Sequence, residues 1–194
     1  ILFGRFLYFN NLNKITGRVS GLGQVNITIL PLLEINLSQA IINWSSGRID
    51  EGEYNSTLYT NGSEVGVVLR GNWSGDNATA FLIENVGSTN CSLFMIAGKN
   101  ASILFNSSDN SNQEYKWKIV EKEANSCING TGSGGGWTAG ADVNLTGPGT
   151  NVCSLFSFDN GADEVYINVL LTVPYNARNF GNISDSITVI CNGV

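Results

Sequence analysis

The 194-residue sequence predicts an all-β protein: an immunoglobulin-like β-sandwich with an extended N-terminal arm strand. Three observations predict it. About ten short apolar runs are separated by Gly, Asn or Pro turn signals, the spacing expected of a sandwich. No stretch sustains the 3.6-residue apolar period of an amphipathic helix. Charged residues make up only 13%, while Gly (23) and Asn (26) are abundant, a balance that suits β-structure outside the cell. The chain divides into an assembly arm with its connector, residues 1–17, and the sandwich, residues 18–194.

The elements follow in order. Ile1–Phe9 reads ILFGRFLYF, with large apolar side chains at Ile1, Leu2, Phe3, Phe6, Leu7, Tyr8 and Phe9. A bilayer-spanning helix needs ~20 such residues, so this stretch is too short to cross as one. A strand with apolar groups on both faces needs cover from elsewhere. Residues 10–24 are polar and Gly-punctuated, a connector. Strands are expected at 25–30, then after Pro31 through Ile35 and Leu37, at 55–60, at 65–70, at 79–85 and at 91–97. Asn61-Gly62 marks a tight hairpin turn. Ala101–Phe105 reads as a short strand, and 115–121 alternates apolar and polar as a half-buried strand. Most of the loop-forming Gly lies in 129–150. Further strands are expected at 152–158 and 187–191. The longest apolar run, Glu164–Val173, is expected to be central and to end at Pro174.

The net charge is −6 with ten dispersed Lys and Arg. Phosphate binding needs a basic footprint, so nucleic acid is not an expected partner. Cys91, Cys127, Cys153 and Cys191 form no Cys-x-x-Cys pair and the chain has no His, which argues against zinc. Two disulfides in an oxidising compartment are expected, with three connectivities open. Cys127–Cys153 closing the Gly-rich segment, with Cys91–Cys191 tying an early strand to the last, is the favoured pairing.

Thirteen Asn-x-Ser/Thr sequons occur, at Asn26, Asn36, Asn43, Asn55, Asn61, Asn72, Asn77, Asn90, Asn100, Asn106, Asn129, Asn144 and Asn182. Random pairing of the Asn with the available Ser and Thr would give about four. The excess points to N-glycans on a surface-exposed, extracellular chain.

Several blocks are similar to those of a family of secreted archaeal surface proteins. They are Phe81–Gly87, Glu123–Cys127 and Val169–Pro174, with Asn43–Gly47 and Ile15–Gly17 fitting the same pattern. They span residues 15 to 190. The resemblance implies an immunoglobulin-like extracellular domain downstream of a hydrophobic N-terminal segment, and pairing of Cys127 with Cys153. The sequence starts within what would be that segment. Signal-peptidase cleavage there would free Ile1–Phe9.

Catalysis is not expected. Without His, Ser-His and Cys-His nucleophile pairs are excluded. The carboxylates Asp50, Glu51 and Glu53, and Asp163 with Glu164, sit in turn-forming contexts and read as solvated. The loop 159–164 offers oxygen ligands without EF-hand spacing, and residues 132–136 lack the Lys of a phosphate loop, so neither metal nor cofactor is expected. Trp44, Trp73, Trp117 and Trp137 could stack on sugars, though Trp44 and Trp73 lie inside sequons. The sequence therefore leads to a pilin-like structural subunit of a glycosylated archaeal surface filament, polymerising by donor-strand complementation with identical subunits. The alternative is a membrane-anchored surface-layer or adhesin domain with its anchor upstream of Ile1, the only case in which a membrane is a partner.

Overall fold

The computed structural model describes residues 27–28, 30–107, 112–130, 137–139, 149–179 and 181–194. The assembly strand, with Ile1, Leu2, Phe3, Phe6, Leu7, Tyr8 and Phe9, lies outside the described residues, as do the sequons at Asn26 and Asn144. Contacts divide the chain into 1–30 and Pro31–Val194, and the sandwich is the second unit. The strand expected at 25–30 is not found where it can be checked: Ile27, Thr28 and Leu30 carry no strand, and Ile27 and Leu30 are exposed. Alternation favours a strand only where a neighbouring strand completes its hydrogen bonds.

Strand β10 (Glu164–Pro174) organises the larger sheet. Its alternate residues Val165, Ile167 and Val169 enter the core. Along one side it pairs with β6 (Glu114–Glu121) over eight residues, Val165 to Thr172. Along the other it changes partner: Glu164–Ile167 pair with β4 (Phe81–Asn85), and Leu170–Pro174 with β2 (Asn55–Asn61). β1 (Ile35–Gln39) extends β4, β3 (Glu64–Leu69) extends β2, and β8 (Thr138–Ala139) extends β6. The second sheet runs β11 (Ile187–Gly193), β5 (Cys91–Ala97), β9 (Thr150–Phe156), β7 (Cys127–Ile128). Every pairing is antiparallel. The two Cys-Ser-Leu-Phe words, 91–94 and 153–156, are no structural repeat; they lie on neighbouring strands, with Cys91 opposite Phe156 and Leu93 opposite Cys153.

The change of partner leaves a gap in the ladder, and side chains fill it. The Val169 amide donates to Thr60 Oγ1 at 2.9 Å, and Thr60 Oγ1 donates to Asn168 Oδ1 at 3.3 Å. Asn168 Oδ1 also accepts from the Gly62 amide at 2.7 Å, while the Gly62 carbonyl accepts from Ala80 at 2.8 Å. Thr60 and Asn168 are both buried. Buried backbone groups need partners, so these two side chains let one strand serve two neighbours on the same edge. The hairpin beside them turns at Gly62-Ser63, one residue beyond the expected Asn61-Gly62, with Gly62 at φ +59°. Gly at the first central position is what a type II′ hairpin requires.

Ala101–Phe105 is a single helical turn, α1, rather than the expected strand. Asn100 caps it, its Oδ1 accepting from the Ile103 amide at 2.8 Å, and Asn106 ends it in the left-handed conformation. These caps override the apolar run Ile103-Leu104-Phe105, which would otherwise favour a strand. Leu104 and Phe105 still point inward.

Between the sheets lies a core of Ile83, Leu93, Met95, Trp117, Ile119, Val152, Phe156, Val165 and Ile167. Both disulfides border it: Cys91–Cys191 joins β5 to β11, and Cys127–Cys153 joins β7 to β9.

Two predictions follow from these features. Asn168→Ala strands the Gly62 N–H and the Thr60 hydroxyl hydrogen, and denaturant unfolding should register a loss of about 1–3 kcal/mol. Paired Cys→Ser substitution should cost more at Cys91–Cys191, which spans 100 residues, than at Cys127–Cys153, which spans 26. Loop-closure entropy sets the difference at about 1 kcal/mol, read from the same unfolding curves.

Candidate functional site

The smaller sheet covers only part of the larger one. Its Leu93, Met95, Val152 and Phe156 pack on β4, β6 and the first half of β10. Over Leu58 of β2, Val169 of β10 and Tyr115 of β6, the cover comes instead from Ala97 at the end of β5, Leu104 and Phe105 of α1, and Trp44. These pieces do not close the surface. A groove of about 1310 Å³ remains, with Leu58, Val169, Leu171 and Val173 of the large sheet along it. Ile183 and Ile187 line it too, so it runs to the start of β11. Among the described residues β11 pairs only with β5, and no described strand occupies its other edge. Polar groups also line the groove: Arg48, Asp50 and Glu53 from one segment, Asn182 and Asp185 from another.

Within the groove the Tyr115 hydroxyl is pushed far above its ordinary range, first by burial and then by the adjacent Asp185 carboxylate. The same carboxylate is a hydrogen-bond partner of the Tyr115 hydroxyl, so the pair is satisfied within the chain. The half-buried Leu171 and Val173 beside β11 suit an extended peptide, whose backbone supplies donors and whose alternate side chains fill pockets.

Further apolar side chains are exposed along residues 32–41, of which Ile41 lines the groove. Leu32, Leu33, Leu37 and Ile41 are exposed, Ile41 at 70%. Ile35 alone of the β1 hydrophobics packs against the core; Leu37, two residues on and hence on the same face, is exposed.

The two tryptophans placed beside sequons serve their own chain. Trp44 is buried, and the Trp73 ring lies close against Gly47 and Gly71, where any Cβ would collide with it. Trp117 is in the core and Trp137 on the outer side of the large sheet, near Tyr59 and Lys118. None of the groove's floor residues was marked in the sequence, where they looked like ordinary core. The available signal was the excess length of β10, eleven residues facing seven in β5.

Eleven sequons lie among the described residues, and in none of them is the Asn buried. Asn36, Asn43, Asn61, Asn72, Asn77, Asn106, Asn129 and Asn182 are exposed; Asn55, Asn90 and Asn100 are half-buried. The buried asparagines Asn85 and Asn168 both fall outside sequons. In Asn43, Asn72, Asn90 and Asn100 the amide oxygen accepts from a backbone N–H, at 2.7 to 3.2 Å. Glycan attachment uses the nitrogen, so those contacts survive it.

Of the acidic groups, Asp50 and Glu53 sit on the groove, and Glu51 is exposed. Glu164 pairs with Lys122 at 2.5 Å. Among the described residues no three His, Cys, Asp or Glu gather as a metal site, and no helix is long and apolar enough to cross a membrane. Asp163 is held above the usual carboxylate range by desolvation and by Glu123 beside it, whose Oε2 also accepts from the Asp163 amide at 3.0 Å. A carboxyl group raised in the fold favours the native state while protonated, and that contribution is lost as pH rises through its folded pKa. Asp163→Asn should therefore raise Tm at pH 7 and leave it unchanged near pH 3, as thermal melts at the two pH values would show.

Compared with family models, with characterised proteins and with solved structures, the chain matches none.

Proposed function

We propose that this chain is a structural subunit of an extracellular, N-glycosylated surface filament. Each copy would lay its Ile1–Phe9 strand into the groove of the next, beside the edge of β11 away from β5. The observation that carries the reading is the groove itself: the half-buried Leu171 and Val173, with the buried Leu58 and Val169 behind them, lie where the second sheet does not extend. An occupant needs backbone donors for the strand edge and large apolar side chains for the floor, and ILFGRFLYF supplies both. Nine extended residues span ~30 Å, long enough to follow a seven-residue strand such as β11. Burying the large side chains of the arm at ~1.5–3 kcal/mol each gives on the order of 10–20 kcal/mol before ordering costs.

Such a joint uses different surfaces on its two sides. Head-to-tail contacts of that kind grow into open fibres unless the rotation closes a ring. Two disulfides and the accessible sequons fit an oxidising, extracellular setting. Left unpaired, that β11 edge would invite unspecific pairing, and the donated strand removes the hazard.

The test is deletion of residues 1–9, followed by sedimentation and electron microscopy. The intact chain should form fibres and the deleted chain should stay monomeric, with a synthetic Ile1–Phe9 peptide binding the deleted chain one to one. Equal assembly by both forms would sink the reading and favour the anchored surface-layer or adhesin domain.

A further inference from the structure

One sequon differs from the others in what surrounds it. Asn61 ends β2 beside the Gly62-Ser63 turn, and Tyr59 lies two residues earlier, hence on the same face of the strand. That face is the outer one, since Ser56, Leu58 and Thr60 are the buried alternates. Trp137 meets the Tyr59 ring edge-on, with centroids 6.2 Å apart. Lys118 Nζ stands 4.6 Å from the Trp137 ring centre. Tyr166 closes the group from β10: a Cβ on Gly62 would touch its ring at 3.6 Å. Two aromatic features thus flank the Asn61-Gly62 pair on the side away from the core: Tyr59 with Trp137, and Tyr166 against Gly62.

The other sequons next to aromatic residues lack this arrangement. Trp44 and Trp73 are committed to packing within the chain, and Phe105 before Asn106 is buried. Tyr54, before Asn55, is exposed and its ring meets Tyr175 edge-on with centroids 5.8 Å apart, but that pair lies at the bend before β2 rather than along a strand face.

We propose that the aromatic group of Tyr59, Trp137 and Tyr166 is a platform for the glycan on Asn61, packing the C–H face of its first sugar rings. The proposal rests on the reading of the chain as an N-glycosylated protein. Pyranose rings present a face of polarised C–H bonds, which complements the negative face of an aromatic ring. The linkage forms between Asn61 Nδ2 and the anomeric carbon of a phosphate-activated glycan donor. The phosphate carrier leaves and one amide proton is lost. Asn61 Nδ2 donates to Glu64 Oε2 at 2.6 Å, and the remaining amide hydrogen keeps that contact. The turn then holds the first sugar over the strand face rather than out in solvent.

The experiment uses the full chain made in a glycosylating host. Ser63→Ala removes the sequon while leaving Asn61 and Glu64 in place, and it is combined with Tyr59→Leu, which keeps an apolar side chain but no ring face. Trp137→Leu serves as a second background should Tyr59→Leu fold poorly. Glycopeptide mapping should find Asn61 occupied in the parent. Ser63→Ala should lower Tm by ~2–4 °C when the rings are intact. The loss should be less than half as large in either Leu background. Free oligosaccharide should leave the Ser63→Ala Tm unchanged, because the tether supplies the effective concentration. Asn61 found bare in the parent overturns both this proposal and the glycosylation reading at that site. An occupied Asn61 with equal Tm losses in all backgrounds overturns the platform alone. A rise in Tm with free oligosaccharide overturns the assignment to the chain's own glycan.

Discussion

The structure depends on a hydrogen-bond substitution at the middle of β10. A strand of eleven residues is too long for either β4 or β2 alone, and between Ile167 and Leu170 neither one pairs with it. Thr60 and Asn168 take the places that backbone groups would have filled. In a low-dielectric interior each such group left unpaired would be costly, so the network is either complete or untenable. Because it is complete, two hairpin-like units, β1–β4 and β2–β3, can share a single central strand.

That sharing makes the larger sheet longer than the smaller one can cover. The disulfides and the large buried side chains concentrate where the two sheets overlap. Beyond the overlap the chain improvises cover from α1, the segment around Trp44 and the end of β5. Small residues allow the close approaches this needs: a Cβ on Gly75 would fall 1.9 Å from the Gly66 carbonyl oxygen. What the improvised cover does not reach is the groove. The proposed filament joint and the proposed glycan platform lie on opposite sides of the same sheet, inner and outer, so both could operate in one molecule.

Much of the sandwich was legible because its signals are local or purely compositional. The apolar run of β10, the alternation of β6 and the Asx-Gly turn after β2 each carry their meaning within a few residues. The disulfide pairing agreed with the favoured one, Cys91 with Cys191 and Cys127 with Cys153, since one bond closes a loop and the other ties the last strand. The difference at Ala101–Phe105 has a local cause as well: Asn100 and Asn106, each the first residue of a sequon, also cap the helical turn between them. The strand expected at 25–30 failed for a different reason, because a strand needs a neighbour that a window of six residues does not reveal. The two-residue strands β7 and β8 carry no periodicity at all and exist only by pairing with β9 and β6.

The sequence alone determined the class of the protein: short alternating runs, turn residues between them, and four cysteines able to form two disulfides. These are properties of individual segments, set by side-chain periodicity and backbone preference. Only the tertiary structure decided that β10 divides its edge between two partners, that the sheets differ in extent, and that Trp137 meets Tyr59 while Tyr166 lies against Gly62. Those facts depend on residues more than a hundred positions apart, as Thr60 and Asn168 are. The contacts that join them arise from packing, which no local pattern encodes.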